Sequence, residues 1–310
     1  MYARLLVCLG FVCVVRASAA DWSSLYGAAV LAREQTRLQH LAEDVSANEI
    51  GTYLTDGQRL LFGPPPIDLP LKTDSASPIN CDLHRNGTIV LPALTLLFVE
   101  DLAKAYAWLW ANHYSSETVD EYTSMLRFRN IADFPESKYP APLTALHIPA
   151  DALNEADVKK MFLRLRTSAY MFLILHQMGQ LRSSGETSEE QTDLFTLDLM
   201  KRNSETPLGL LLLMDAGVYL PDGQHPITAK RLIWMADYLD RRVQDFVEGR
   251  PDRLLARNAI HAIARSLRVS AASVQDSSTQ SAWAEQARRT DVSSLLPKRQ
   301  ADRGTAMPLH

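Results

Sequence analysis

The strongest constraint on the fold is the helical spacing of apolar residues through most of the chain after residue 92. An earlier segment, residues 26–47, already shows this spacing, with Leu31, Leu38 and Leu41 on a polar background. One short apolar stretch, Ile89-Val90-Leu91, ends at a proline and is typical of a strand. We therefore expect a mainly α fold with a small β element near the N-terminus. The later segments predicted to be helical are Thr95–His113, Val119–Phe128, Glu155–Met161, Thr167–Leu181, Ser188–Arg202, Pro207–Tyr219, Thr228–Val247 and Leu254–Leu267.

The first twenty residues have the pattern of a secretory signal peptide. Arg4 precedes an apolar run from Leu5 to Val15, and residues 17–20 are the small residues of a cleavage site. The run is about half of the roughly 20 residues that a membrane-spanning helix needs. We expect cleavage after residue 20, no stable membrane span afterwards, and secretion, into the periplasm if the source is Gram-negative. An uncleaved anchor is the alternative.

Composition divides the rest of the chain into three parts. Residues 21–80 are predicted to hold the first helix, a β-hairpin and a proline-rich extended linker from Pro64 to Pro78. The hairpin is predicted at Asp56-Gly57, a dipeptide typical of two-residue turns, between Tyr53–Thr55 and Arg59–Phe62. Residues 270–310 are rich in Ser, Ala, Gln and Arg, which predicts a disordered tail. Residues 81–269 remain as one helical domain.

Charge and cysteine content exclude two classes of protein. Lys+Arg number 32 and Asp+Glu 36, a net charge of −4 that offers no general attraction to nucleic acid. Cys8 and Cys13 would leave with the signal peptide, so Cys81 would stay alone and could close no internal disulfide. We expect it to be a small buried residue in a loop.

Three segments in the second half carry the candidate chemistry. His176 lies in the apolar segment from Tyr170 to Leu181, and Gln180 follows one turn later on the same helix face. Acidic residues begin the next predicted helix, at positions 189, 190 and 193. A third segment begins with His225-Pro226 and continues to Arg231-Leu232.

In this order the three segments resemble the motifs of gluzincin zinc metallopeptidases, the group of the CAAX prenyl protease, the heat-shock membrane protease and their soluble periplasmic relatives. Residues 175–180, Leu-His-Gln-Met-Gly-Gln, align with the family's LxHELGH motif. Residues 189–193, Glu-Glu-Gln-Thr-Asp, align with its E-x-x-A-D motif, and His225-Pro226 through Arg231 align with its H-P-x-x-x-x-R motif. The resemblance covers about residues 85–245 and implies a metallopeptidase-like helical domain.

The resemblance also implies roles for single residues. His176 and Glu189 match zinc ligands, Asp193 matches the residue that orients a ligand, and His225 matches a histidine near the active site. The strand Ile89-Val90-Leu91 matches the edge strand that lies along the substrate.

Two positions depart from the family pattern. In HExxH the two histidines hold zinc and the glutamate takes a proton from the bound water. Here Gln177 occupies the general-base position and Gln180 the position of the second histidine. An amide has no useful basicity and is a poor zinc ligand. The sequence therefore predicts an inactive relative, a pseudopeptidase.

Three hypotheses follow. In the first, the chain is a secreted or periplasmic pseudopeptidase that binds a peptide or an envelope protein and retains no cofactor, with His176 in a structural hydrogen bond to Glu189 or Asp193. In the second, it is a zinc metallopeptidase whose rebuilt site takes a third ligand, such as His225 or His113, together with a different general base. In the third, it is an unrelated helical envelope protein.

Overall fold

The computed structural model describes residues 22–72, 75, 77–181, 188–221 and 225–299, and within this part the fold is mainly α with a small three-stranded sheet. This confirms the expected fold class. The segment predicted to be a signal peptide lies outside the described residues. No helix of the described part is long and apolar enough to cross a membrane.

The elements follow one another in chain order. The strands are β1 (Ile67–Asp68), β2 (Asp82–Leu83) and β3 (Ile89–Val90). The helices are α1 (Ala28–Asp44), α2 (Asp56–Phe62), α3 (Ala93–Ala111), α4 (Glu117–Phe128), α5 (Pro142–Ala145), α6 (Ala156–Leu181), α7 (Glu189–Arg202), α8 (Gly209–Tyr219), α9 (Ala229–Val247), α10 (Arg253–Gln275) and α11 (Ser277–Arg289).

The predicted hairpin is wrong, because the segment forms a capped helix. Thr55 is the N-cap of α2: its hydroxyl accepts a hydrogen bond from the backbone N–H of Gln58 at 3.3 Å. The Gln58 side chain in turn accepts one from the Thr55 backbone N–H at 3.0 Å. This reciprocal capping box satisfies two N–H groups at the start of the helix. It fixes helical geometry where Asp56-Gly57 alone suggested a turn.

The small sheet has the order β1-β3-β2, with β1 parallel and β2 antiparallel to β3. The strand at residues 89–91 is therefore present but central, so the expectation of an edge strand is wrong. Both sides of β3 are paired, and Ile89 and Leu91 are fully buried. The edge on the side of α6 is β2, which contacts that helix. Part of the proline-rich linker forms β1, and Gln39 of α1 donates to its Ile67 carbonyl at 3.0 Å.

The C-terminal segment is also ordered, so the predicted disordered tail is wrong for residues 270–299. Helix α10 runs to Gln275, and α11 packs against α4. Ala287 and Leu295 are buried, and the Trp283 ring lies 4.6 Å from that of Tyr219. These few anchors are far apart in the sequence, and their partners belong to distant helices. Residues 300–310 lie outside the described part.

Helix α6 is the centre of the core and packs against α3, α7 and α8. Its contact with α8 is very close. A Cβ added at Gly209 would lie 2.3 Å from the backbone nitrogen of Ala169 and 2.4 Å from its Cα. The Ser168 hydroxyl crosses this contact, accepting from the Gly209 N–H at 3.0 Å and donating to the Thr206 carbonyl at 3.2 Å. Only a glycine lets the two backbones meet here.

We expect Gly209→Ala to lower the free energy of unfolding by about 2–3 kcal/mol, because the new methyl group must push the two helices apart. Urea unfolding followed by circular dichroism measures the change. Gly57→Ala is the matched control: its new Cβ would contact nothing within 4 Å, in a helix, and should stabilise by about 0.5–1 kcal/mol. Equal effects of the two variants would contradict the close α6–α8 contact.

Candidate metal-binding site

A polar cluster lies where three segments meet: the C-terminal part of α6, the first turn of α7 and the residues before α9. His176 belongs to α6, Glu189 and Asp193 to α7, and His225 precedes α9. Helices α6 and α7 pack closely at Gly179, where an added Cβ would be 3.0 Å from Thr192. The sequence predicted this meeting of segments, and the structure brings all four side chains together.

N-capping residues fix where α7 and α9 begin, and so where Glu189 and His225 lie. The Ser188 hydroxyl caps α7 by accepting from the Gln191 N–H, so Glu189 lies at the helix N-terminus, where negative charge is stabilised. The Thr228 hydroxyl caps α9 by accepting from the Arg231 N–H. Ser188 and Thr228 are the first residues of two segments predicted to be helical. They hold His225 and Glu189 on the same side of α6.

The His176 ring lies between two carboxylates and is 3% exposed. Its Nε2 lies 3.4 Å from Glu189 Oε2, and its Nδ1 lies 3.2 Å from Asp193 Oδ1. Neither nitrogen makes a hydrogen bond of good geometry to any residue that the structure describes. Buried polar nitrogens of this kind need a partner. The Nε2 atom of the ring is therefore available for a further partner.

Arg231 neutralises both carboxylates from inside the protein. Its Nε and Nη2 donate to the two oxygens of Asp193 at 2.7 and 2.8 Å, and its Nη1 lies 2.7 Å from Glu189 Oε2. Arg231 is 4% exposed and Asp193 is fully buried. Such a bidentate pair fixes both groups in one orientation. Glu189 Oε1 is left to face His225, whose Nδ1 is 3.3 Å away.

Gln177 and Gln180, which replace the glutamate and the second histidine of the HExxH motif, are part of the same cluster. Gln177 is fully buried, and its amide nitrogen lies 2.9 Å from Cys81 Sγ and 3.3 Å from the Cys81 carbonyl oxygen. The His225 Nε2 lies 3.1 Å from that same carbonyl oxygen. The amide nitrogen of Gln180 is 3.3 Å from His225 Nδ1. Cys81 is thus buried, as expected, and it also connects the cluster to the sheet.

Charges inside the cluster oppose the cost of burial. Burial alone would lower the pKa of His176, but the adjacent carboxylates of Asp193 and Glu189 outweigh it and raise the pKa. Burial alone would raise the pKa of Glu189, but the two histidines and Arg231 hold it well below its usual range. The pKa of Asp193 is lowered against its burial by His176 and Arg231. Both carboxylates are therefore ionised at neutral pH.

The donor set of the cluster fits zinc. His176, Glu189 and His225 each offer a ligand atom, and the three atoms lie within 4.8 Å of one another. Two imidazoles and one carboxylate form a known zinc set, with donors about 2.0–2.2 Å from the ion. Binding would draw the three groups closer together. Asp193 behind His176, and Arg231 behind Glu189, are the partners that usually orient such ligands.

Sequence reasoning did not assign Arg231 or Cys81 to the site: Arg231 was given no role, and Cys81 was expected only to be a small buried residue. Arg231 is the last residue of the H-P-x-x-x-x-R pattern, and that pattern was the signal that could have assigned it to the cluster. Cys81 gave no signal, because it is 96 residues away from Gln177. His113, the other candidate third ligand, is not among the three grouped residues and lies beside a cavity elsewhere. The strand residues Ile89, Val90 and Leu91 are part of the sheet centre.

Comparison with family models, with curated proteins and with solved structures finds no match to this chain.

We expect Arg231→Met to lower the free energy of unfolding by about 3–5 kcal/mol, because it leaves the buried Asp193 carboxylate without its counter-charge. Chemical unfolding at pH 7 measures this loss. Arg268→Met is the matched control: Arg268 pairs with Asp237 and Asp240 at the surface, and its loss should cost less than about 1 kcal/mol. If the two variants lose the same stability, the Arg231 network does not hold the cluster together.

Proposed function

We propose that this protein is a metallopeptidase-like binding protein: it holds zinc in the polar cluster, binds a peptide segment beside it, and has no peptidase turnover. The observation that carries the proposal is Gln177, which lies at the general-base position next to the His176–Glu189–His225 donor set. The donor set supports metal binding. The glutamine removes the group that hydrolysis would need.

The absence of a general base extends to the neighbours of Gln177. The amide of Gln177 cannot accept a proton from water at neutral pH. Glu189 belongs to the donor set, and its Oε2 lies beside Arg231. Asp193 has both oxygens bonded to Arg231. Among the residues described at the cluster, no carboxylate is left to act as the base.

His176, Glu189 and His225 would hold the metal. When bound, zinc acts as a Lewis acid that polarises a carbonyl group or lowers the pKa of a bound water. Neighbouring residues would hold these ligands in place: Asp193 orients His176, and Arg231 fixes Glu189. With no base beside it, the metal would serve to hold a ligand or to order the site.

The sheet edge at β2 is the surface that best fits a peptide. β2 directly follows Cys81, whose carbonyl oxygen is in the cluster, and it is an edge strand. An extended peptide adds to such an edge through backbone hydrogen bonds. His84 N–H bonds to the Thr88 carbonyl, so the alternation of an antiparallel ladder turns the Leu83 N–H outward. That N–H would be the first donor to an added strand.

A library of peptides from a digested proteome tests both halves of the proposal. The zinc-loaded protein is incubated with the library, bound peptides are separated by gel filtration, and mass spectrometry identifies them and any new termini. We expect a set of bound peptides and no new termini. Leu83→Pro should lose most of the bound set, because proline removes the outward N–H while it is tolerated at an edge position. Leu83→Ala, which keeps the N–H, is the control.

Two results would overturn the proposal. New peptide termini that need zinc and disappear in His176→Ala would identify an active zinc metallopeptidase with another base. No bound peptides, or a bound set unchanged by Leu83→Pro in a protein of normal circular dichroism, would remove the binding role.

A further inference from the structure

A second possible site lies away from the polar cluster, in a cavity of about 1000 Å³ among α3, α4, α6, α8, α10 and α11. None of the cluster's residues lines it. Five of its lining side chains are those of Tyr or Trp: Tyr106, Trp110, Tyr219 and Trp283 belong to three helices, and Tyr114 follows α3. The rings of Tyr106 and Trp110 lie 5.6 Å apart, and those of Tyr219 and Trp283 lie 4.6 Å apart. The volume is that of a site for a small molecule.

Two half-buried carboxylates, of Asp120 and Asp215, line the same cavity, together with the exposed Glu117 and Asp157. Asp215 of α8 accepts hydrogen bonds from Ser270 at 3.0 Å and Ser266 at 3.4 Å. Asp120 of α4 also lines the cavity, and its side chain makes no hydrogen bond or ion pair with any residue in the described part of the chain. The structure thus holds one carboxylate in place and leaves a second without a partner.

The surroundings of Asp120 and Asp215 disfavour the ionised form of both carboxyl groups. Burial, and then the charge of Asp215, raise the pKa of Asp120 well above its usual value. Burial likewise raises the pKa of Asp215 to about 6, although its hydroxyl partners lower it. No Lys or Arg contributes to either shift. A cation from outside the chain would relieve both costs.

Five basic residues also line the cavity. Lys160, Arg265, Lys298 and Arg299 are exposed, and Lys298 forms an ion pair with Glu121, whereas Arg164 is half-buried. These residues would repel a ligand with several positive charges. Asp120 and Asp215 remain as the half-buried partners for a ligand with one positive charge.

We propose that this cavity binds a small organic molecule with a single ammonium group. The ammonium group lies against Asp120 and Asp215, which supply the opposite charge. The faces of the surrounding aromatic rings attract the cation further, as they do in sites for quaternary ammonium ligands. The remainder of the ligand extends toward the exposed basic residues and is neutral or anionic. This inference is independent of the function proposed for the polar cluster.

Calorimetric titration with two probe cations and their neutral isosteres tests the inference. The probes are choline, paired with 3,3-dimethylbutan-1-ol, and 2-phenylethylamine, paired with 2-phenylethanol. We expect at least one cation to bind the full mature chain, and its neutral isostere to bind at least about tenfold more weakly. Quenching of tryptophan fluorescence, from Trp110 and Trp283, provides a second readout.

Variants locate the binding. Asp120→Asn should weaken the binding of the cation at least about tenfold, and it should fold normally because it replaces a half-buried carboxyl group by a neutral group of the same size. Asp157→Asn is the matched control, because Asp157 lines the same cavity from an exposed position. It should change the affinity less than about threefold.

Three results would overturn the inference. One is that neither cation binds, and another is that each neutral isostere binds as well as its cation. The third is that Asp157→Asn and Asp120→Asn weaken binding equally, which would indicate a general effect of charge at the surface.

Discussion

The buried ion pair between Arg231 and Asp193 is the interaction on which the polar cluster depends. Both groups are almost removed from water, and together they connect α7 to α9. Burying two charges is favourable only when their geometry is good and their other hydrogen bonds are satisfied. Arg231 meets this condition by binding Asp193 through two nitrogens and reaching Glu189 with the third. Because this ion pair fixes Asp193 and Arg231, the neighbouring His176 and Glu189 side chains are held in place as well.

The elements that sequence reasoning predicted correctly are those with strong local signals. The helices α3, α4, α7, α8 and α9 follow the spacing of their apolar residues, and Ser188 and Thr228 are the N-caps of α7 and α9. The segments Glu155–Met161 and Thr167–Leu181, predicted as two helices, form the single helix α6, and α10 continues past its predicted end to Gln275. The short helix α5 was not predicted. The hairpin failed because two local signals competed, and the capping box of Thr55 and Gln58 prevailed over Asp56-Gly57. The tail failed because its anchors, such as Trp283, are sparse and become visible only when distant helices supply their partners.

The candidate site shows the same division. The order of three motifs was enough to bring His176, Glu189, Asp193 and His225 into one hypothesis. It placed His225 near the site but left the third ligand open between His225 and His113, and the structure groups His225 with His176 and Glu189. No local pattern could have predicted the contact of Gln177 with Cys81 or the cavity among six helices. The molecule therefore has two chemically different candidate sites, a donor set without a base and an aromatic cavity with two half-buried carboxylates.

The most direct test of the account is the zinc content of the protein, purified without a histidine tag, incubated with zinc and desalted before elemental mass spectrometry. The account predicts close to one zinc per chain. The metal should be lost in His176→Ala and in His225→Ala and retained in His113→Ala, whose histidine lies outside the donor set. An absence of stoichiometric zinc, or a zinc content that His225→Ala leaves unchanged, would contradict the assignment of the cluster as a three-ligand metal site.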